Sequence, residues 1–360
     1  MSQHFWLKSS SVSLSGMEIA QLSDEQARYY LARMRWGDQG QVCPACAALD
    51  QHYDIKTRKQ WGCKHCGRRF SVTTGTPFAD FKIGYARLLM AIFAFVVNQK
   101  GVAALALRRI IGGQYRTSYT LLHKIREALM LTASAEPMSG VVEVDGGHFA
   151  GKRRKGRKLK EDRGPAELPK KYRKPQQRDK VSNAAFPHHP NRRIVLVLRE
   201  MCQDGEGVGA ARTKVAIIRS ENTADIEALV KLHVAKLTTI RSDELTAYGN
   251  LKLLGYAHQT VNHSVEFSTD DGVNQNQAES FFSRMRRAFI GVYHKITPSY
   301  MLDYACEMAW REDVRRRGTL QQMLGLFQRV CSAGRSTDWV NYCRGHKRGT
   351  ELLFSADQTA

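Results

Sequence analysis

The chain has no long hydrophobic run. Its longest, Leu88 to Val97, is ten residues, about half of the roughly 20 that a helix needs to cross a bilayer, so the expected reading is a buried helix and no membrane. The opening MSQHFWLKSSSVSLSG lacks the apolar core of a signal peptide, which favours an intracellular setting. No internal repeat is visible. Acids are also short: 34 Asp and Glu stand against 55 Lys and Arg, for a net charge of +21 and a pI near 9.8. A field of that sign attracts phosphate polyanions or anionic membranes, and without a membrane segment the expected partner is nucleic acid. An apolar fraction of 42% is that of a folded protein. A chain of 360 residues suggests two or three units.

Cysteine is scarce outside two tight pairs. Cys202, Cys306, Cys331 and Cys343 are scattered and read as buried thiols; Cys343 and His346 have ligand spacing but no second pair beside them. The two pairs, Cys43-Pro-Ala-Cys46 and Cys63-Lys-His-Cys66, are separated by 16 residues. Zn²⁺ takes four soft ligands in a tetrahedron, and two Cys-x-x-Cys knuckles joined by a hairpin supply them. Without a secretory signal, paired cysteines point to metal before disulfides. Such a unit has little core, so the metal supplies much of its folding free energy. His65 is unnecessary as a ligand. Lys64, Arg68 and Arg69 surround the second knuckle, with Trp61 and Phe70 flanking it, which is compatible with contact to a phosphate backbone; a structural or protein-binding ribbon is the alternative.

Around the ribbon the pattern is helical. Ser23-Asp24-Glu25-Gln26 reads as a capping box opening a helix to Arg35, stopped by Gly37. Helices are expected over Tyr85 to Val97, Val102 to Ile110 and Thr117 to Leu131. The last two, joined by Gly112-Gly113, are compatible with a helix-turn-helix. After Glu136-Pro137 the composition shifts. VVEVD, ending at Asp145, reads as a strand, as do Arg193 to Arg199, Lys214 to Arg219 and Thr238 to Arg241, with an amphipathic helix over Asn222 to Leu237. This alternation predicts an α/β domain with a mixed sheet. A helix from Gln277 to Phe289 and an Arg-rich helical tail from Ser299 follow. Residues 151–180 hold 14 Lys and Arg against 4 acids with no apolar period. The expected divisions are 1–82 (helix and ribbon), 83–135 (helical, DNA-binding), 138–298 (catalytic, with the basic insert 151–180) and 299–360 (basic helical tail).

The order of motifs is specific: a helix, CPAC and CKHC, FSVTTGTPF, GVAALALRRIIGG, VEVDGG, RSDELTAYG, VNHSVEF and NQNQAESFFSRMRRAFIGVYHKI. It resembles the ISXO2-like transposases of the IS1595 group of bacterial insertion sequences, from the first helix to about residue 300. The resemblance implies a ribonuclease-H-like catalytic domain with a DDE triad, acting on DNA in the bacterial cytoplasm at the nucleoid. The chemistry is arguable on its own terms. In-line attack on a phosphodiester needs charge neutralised at both the attacking and leaving oxygens, which two Mg²⁺ (or Mn²⁺) ions roughly 3.5–4 Å apart accomplish, held by carboxylates. Asp145, Asp243 and Glu279, spaced by 98 and 36 residues, are the candidates.

Each has a duller alternative. Glu143 shares the strand face of Asp145. Asp243 suits a helix cap, with Glu244 beside it, and Asp270 and Asp271 compete with Glu279. Some family members carry Asn as the third ligand and a Lys further on. Here Asn276, Glu279, Ser283 and Arg286 share one helical face, so Asn276 or Glu279 is the third ligand and Arg286 stands for the Lys, able to hold a phosphate bidentately. The acidic neighbour that often follows the first Asp is Gly146 here. The resemblance further implies binding of terminal inverted repeats, strand cleavage and transfer of the freed 3′-OH to target double-stranded DNA, by a homo-oligomer. The insert and the arginines at 284, 286, 287 and 315–317 would grip backbone, in a salt-dependent way. A zinc-ribbon transcription factor with an inert α/β domain, or a nuclease of the same fold without strand transfer, is the rival reading.

Overall fold

The computed structural model of the chain describes residues 5–149, 192–202, 209–260 and 276–358. The basic insert 151–180, the VNHSVEF motif at 261–267, Asp270 and Asp271 lie outside the described residues.

Two short helices open the chain, α1 (Gly16–Ala20) and α2 (Asp24–Trp36), each behind a serine capping box. In α2 the Ser23 Oγ accepts from the Gln26 N–H at 3.2 Å while Gln26 Oε1 accepts from the Ser23 N–H at 2.8 Å, satisfying two donors the helix cannot. Gly37, at φ 70°, ends α2 as expected. A three-stranded antiparallel sheet follows, of β1 (His52–Ile55), β2 (Gln60–Cys63) and β3 (Arg69–Phe70). Then come α3 (Tyr85–Val97), α4 (Ala104–Ile111) and α5 (Tyr115–Leu131), the last starting two residues earlier than the periodicity suggests.

The larger sheet is built from β4 (Val141–Phe149), β5 (Arg193–Met201), β6 (Ala210–Ile218), β7 (Thr239–Ser242) and β8 (Ala257–Thr260), with α6 (Thr223–His233) between β6 and β7. Its order is β6-β5-β4-β7-β8, antiparallel across β4, β5 and β6 and parallel across β4, β7 and β8. Adjacent hairpins give the antiparallel half; the parallel half requires a crossover, which α6 provides. This mixed sheet is the ribonuclease-H-like architecture expected. The chain closes with α7 (Asn276–Ala288), α8 (Met301–Val314) and α9 (Thr319–Ser332).

Both sheet faces are covered, which is why β5 reads as a continuous apolar run rather than an alternating one. On one face Val142, Val144, Leu196 and Leu198 pack with Ile226, Leu229 and Val230 of α6. On the other, Val195, Val197 and Ile217 pack with Phe281, Phe282 and Met285 of α7 and with Met301 and Ala305 of α8. A separate core joins the ribbon's Trp61 and Phe70 to α2, α3, α5, Trp310 of α8 and Phe327 of α9. α8 therefore lies between the two regions, against β6 on one side and α5 on the other. Arg126 of α5 is buried there against Glu307 of α8 at 2.6 Å, and Arg311 and the Tyr293 hydroxyl also donate to Glu307. Charges buried this deeply persist only when paired and hydrogen-bonded.

Three expectations are corrected. β4 does not end at Asp145: pairing with β5 carries it through Gly146 and Gly147 to Phe149, so Asp145 is a mid-strand residue. α6 stops at His233 rather than Leu237, because Val234 leaves the helix to bridge Met138 in parallel. Trp61 and Phe70, 3% and 1% exposed, are core residues of the ribbon and cannot face a nucleic acid.

Candidate catalytic and zinc sites

The four ribbon cysteines come together. The sulfurs of Cys43, Cys46, Cys63 and Cys66 all lie within 4.8 Å of one another, with Cys43 Sγ 3.7 Å from Cys66 Sγ and Cys46 Sγ 3.6 Å from Cys63 Sγ. Antiparallel pairing of β1 with β2 brings the second knuckle back beside the first. Burial opposes ionisation of the Cys43 thiol, but the N–H groups of Ala45 and Cys46 and the neighbouring thiols lower it to about 7. A tetrahedral thiolate site for Zn²⁺ fits this donor set. The ribbon is fastened to α2 by Arg28, whose guanidinium lies 3.8 Å from the centre of the Trp61 ring and 2.6 Å from Asp54. The outer side of the second knuckle, including Lys64, His65, Arg68 and Arg69, is exposed.

The acids of the large sheet are brought together by its topology. β4 and β7 run parallel in the register Val141 to Thr239, Val142 to Ile240 and Glu143 to Arg241. Two residues further along that register, Asp243 stands level with Asp145. Both aspartates lie near enough to Glu221 for their charges to act on its carboxyl. β7 ends at Ser242, so among the described residues β4 has no strand partner on that side from Asp145 onward. Asp243 begins a tight turn, its Oδ1 accepting from the Leu245 N–H at 3.1 Å, and Asp145 Oδ1 accepts from the Gly146 N–H at 2.7 Å.

Glu143, the alternative to Asp145, has a different task. It is 0% exposed, and its Oε2 accepts from the N–H groups of Gln277 at 3.0 Å and Ala278 at 2.9 Å. It therefore caps the N-terminus of α7 from the sheet below. Burial raises its carboxyl above the ordinary range, against the pull of those two N–H groups and of Arg199. Arg199, paired with Glu143 in the β4–β5 register, donates to the Gln277 carbonyl at 2.6 Å. Further along the same face of β4, Gly147 leaves space that Phe282 of α7 fills: a Cβ there would come within 2.4 Å of its ring. Asp145 sits between these two fastenings, at the level of the first turns of α7. Ala278, Phe281, Phe282 and Met285 are that helix's buried side, whereas Asn276, Glu279 and Arg286 are exposed on the other. The Arg286 guanidinium lies over the Phe282 and Phe149 rings, 5.6 and 5.9 Å from their centres.

Not every expected DNA contact is available. Arg284 and Arg315 both pair with the buried Glu312, at 2.5 and 3.7 Å, while Arg286, Arg287, Arg316 and Arg317 are exposed. Of α5, residues 121–129 are buried; besides Leu131 at its end, the exposed residues are Tyr115 and Arg116 of the first turn, beside Arg108 and Arg109 of α4.

Two residues at the acid site were not singled out from sequence. Glu221, in the turn from β6 into α6, is 14% exposed and lies 3.7 Å from His148 Nε2. Burial and the like charges of Asp145 and Asp243 push its carboxyl up to about 7. Tyr248 is fully buried, and its hydroxyl has no hydrogen-bond partner among the described residues. Burial and the carboxylates of Glu221, Asp145 and Asp243 hold that hydroxyl well above the ordinary phenol range. The available signal was modest: Glu221 stands three residues past the apolar strand KVAII, and Tyr248 stands five residues beyond Asp243.

A family model described as an ISXO2-like transposase domain matches residues 137–313, and one described as a transposase zinc-ribbon domain matches residues 22–69. The chain belongs to the IS1595 family of transposases. The ribbon and sheet just described are thus this transposase family's two matched domains. An uncharacterized protein in transposable element ISH50 of Halobacterium salinarum is 26% identical over 126 residues, covering 34% of this chain and 41% of that protein. The chain thus matches less than half the length of that relative. Among the described residues, no helix is long and apolar enough to cross a membrane.

Proposed function

We propose that the chain is a working DDE-type transposase, which binds insertion-sequence ends, cuts the adjacent strand and joins the freed 3′-OH to target DNA. The observation that supports this reading is the placement of Asp145 on β4 and of Asp243 just past the end of its parallel neighbour β7, within the matched transposase domain. Their surroundings fit a divalent cation: negative charge is concentrated there, and the buried Tyr248 hydroxyl beside it is unpartnered among the described residues. Asp145 and Asp243 would hold Mg²⁺ or Mn²⁺, with Glu279, or Asn276 through its carbonyl, from α7. A cation bound there supplies charge neutralisation at the scissile phosphate.

The rest is the work of the chain's own residues. Glu143 and Arg199 fix the start of α7 against the sheet, and so set where Asn276 and Glu279 stand along it. Arg286 and Arg287, exposed on α7, would orient the phosphate. The basic outer side of the second zinc knuckle and the exposed arginines of α4 and α5 would hold the terminal repeats. Two ends and one target call for a homo-oligomer on DNA.

The test is a supercoiled plasmid carrying the element's terminal repeats, incubated with Mg²⁺ or Mn²⁺. Asp243→Asn should lower cleavage by at least about a hundredfold and leave end binding within a few-fold of the parent. A variant that still cuts removes the assignment. Nicks without joined products would leave a nuclease of the same fold.

A further inference from the structure

We propose that Glu221 is a third carboxylate ligand of the catalytic cation, reaching the Asp145–Asp243 crevice from the α6 side of the sheet. The inference rests on the reading of Asp145 and Asp243 as metal ligands.

The geometry begins at Gly146. A Cβ on this residue would lie 1.5 Å from Glu221 Oε1 and 2.5 Å from its carboxyl carbon. The Glu221 carboxylate therefore occupies the volume that any other residue at 146 would fill, directly beside Asp145. Because β7 has ended, no described strand flanks β4 on that side at this height, and a carboxylate arriving over Gly146 can meet those of Asp145 and Asp243. Alternation along β4 puts Asp145 toward α7 and Gly146 toward α6. Glu221 thus comes from the sheet face opposite to α7, and an ion at the edge of β4 would be held from both faces.

The position of Glu221 has no local explanation. It directly precedes α6, but that helix is capped by Asn222, whose Oδ1 accepts from the Asp225 N–H at 2.8 Å. Its ion-pair contact is His148 at 3.7 Å, and Arg192 partly offsets the negative charge around it. Packing a third carboxylate beside two others is unfavourable unless a cation compensates. The second observation is Tyr248. Its hydroxyl is 0% exposed and unpartnered among the described residues, and the charges of Glu221, Asp145 and Asp243 all act on it. A buried hydroxyl without a partner is unfavourable, and water or an ion's coordination shell in the crevice would satisfy it. Hard oxygen donors from three carboxylates suit Mg²⁺ or Mn²⁺.

The experiment measures Mn²⁺ binding calorimetrically to the full zinc-loaded chain, without DNA, so that the readout is independent of cleavage. Glu221→Gln should weaken Mn²⁺ binding more than about tenfold, and Asp243→Asn should do the same. Gly146→Ala, which keeps every charge but drives the Glu221 carboxylate off its seat, should also weaken it. Unfolding of each variant without Mn²⁺ checks the fold, and Gly146→Ala decides if Glu221→Gln does not fold. Parental affinity in Glu221→Gln, or in a folded Gly146→Ala when Glu221→Gln is unfolded, overturns the assignment. If Asp243→Asn still loses the ion, the aspartate site stands and only Glu221 falls. Parental affinity in Asp243→Asn, or no Mn²⁺ binding by the parent at all, removes the preformed aspartate site and the Glu221 proposal with it.

Discussion

The zinc ribbon and the acid site solve the same problem, gathering like ligands, by opposite routes. The ribbon takes four sulfurs from residues 43 to 66, on two knuckles joined by one hairpin, and holds them within 4.8 Å. The acid site takes Asp145, Glu221 and Asp243 from three segments that meet only after the sheet has formed. Among the described residues its carboxylates do not gather as tightly as the thiols. The difference follows from chemistry. Thiols are neutral until a metal ionises them and can be packed by local turns. Carboxylates repel at neutral pH, so the fold must hold them in place. In the ribbon the metal helps make the fold; at the sheet the fold itself must hold the carboxylates together.

The largest effect should come from breaking the ribbon. Removing zinc with a chelator, or replacing the buried Cys63 by Ser, should unfold residues 43–70. Structural zinc contributes roughly 10–16 kcal/mol in small zinc peptides. Because Trp61 and Phe70 share a core with α2 and Arg28 ties α2 to Asp54, amide exchange should also quicken across α2. It should stay slow in β4, β5 and β6, whose cores are separate. If exchange rises equally in the sheet, the two regions are one folding unit and the comparison fails.

At the sheet, the matching perturbation is Glu143. Glu143→Ala leaves the N–H groups of Gln277 and Ala278 without their buried acceptor, which should cost about 2 kcal/mol in urea unfolding. Glu143→Gln keeps a carbonyl oxygen there and should lose less than about 1 kcal/mol. Exchange at those two amides locates the effect. Equal stability of the parent and the Ala variant would show that α7 is not held this way, and would reopen Glu143 as a metal ligand.

What could be read from sequence divides along the same line. The four zinc ligands were legible because all the information lies in a short spacing. The helix starts at Ser23 and Tyr85 were legible because capping and 3.6-residue periodicity are local. Asp145 and Asp243 were visible as acids at strands, but their neighbourhood depends on the β4–β7 register, which spacing does not specify. Glu143 and Asp145 share a face, and only the arrival of the α7 N-terminus separates a cap from a candidate ligand. Glu221 escaped notice because it is close to Asp145 only through the space over Gly146. The arginines of the C-terminal helices looked like a DNA-binding run, yet Glu307 and Glu312, interleaved with them, turn several inward. A charge count does not show which side of a helix is buried.

The smallest effect bears on whether the ribbon meets DNA at all. Arg68 and Arg69 are exposed on the second knuckle, while the aromatic residues beside them are core. Bases cannot stack on Trp61 or Phe70, and the contact expected there is with phosphate, through charge. Replacing both by Ala should weaken end binding uniformly across sequences. It should also lower the slope of log affinity against log salt by about two, one for each phosphate that an arginine no longer neutralises. Trp61 and Phe70 lie behind the arginines, so the variant should keep its zinc and its unfolding temperature. A slope unchanged by the double substitution would make the ribbon a structural module that braces α2 and α3, and would assign recognition of the ends to the exposed turns of α4 and α5. The two metal sites would then differ in purpose as well as in construction.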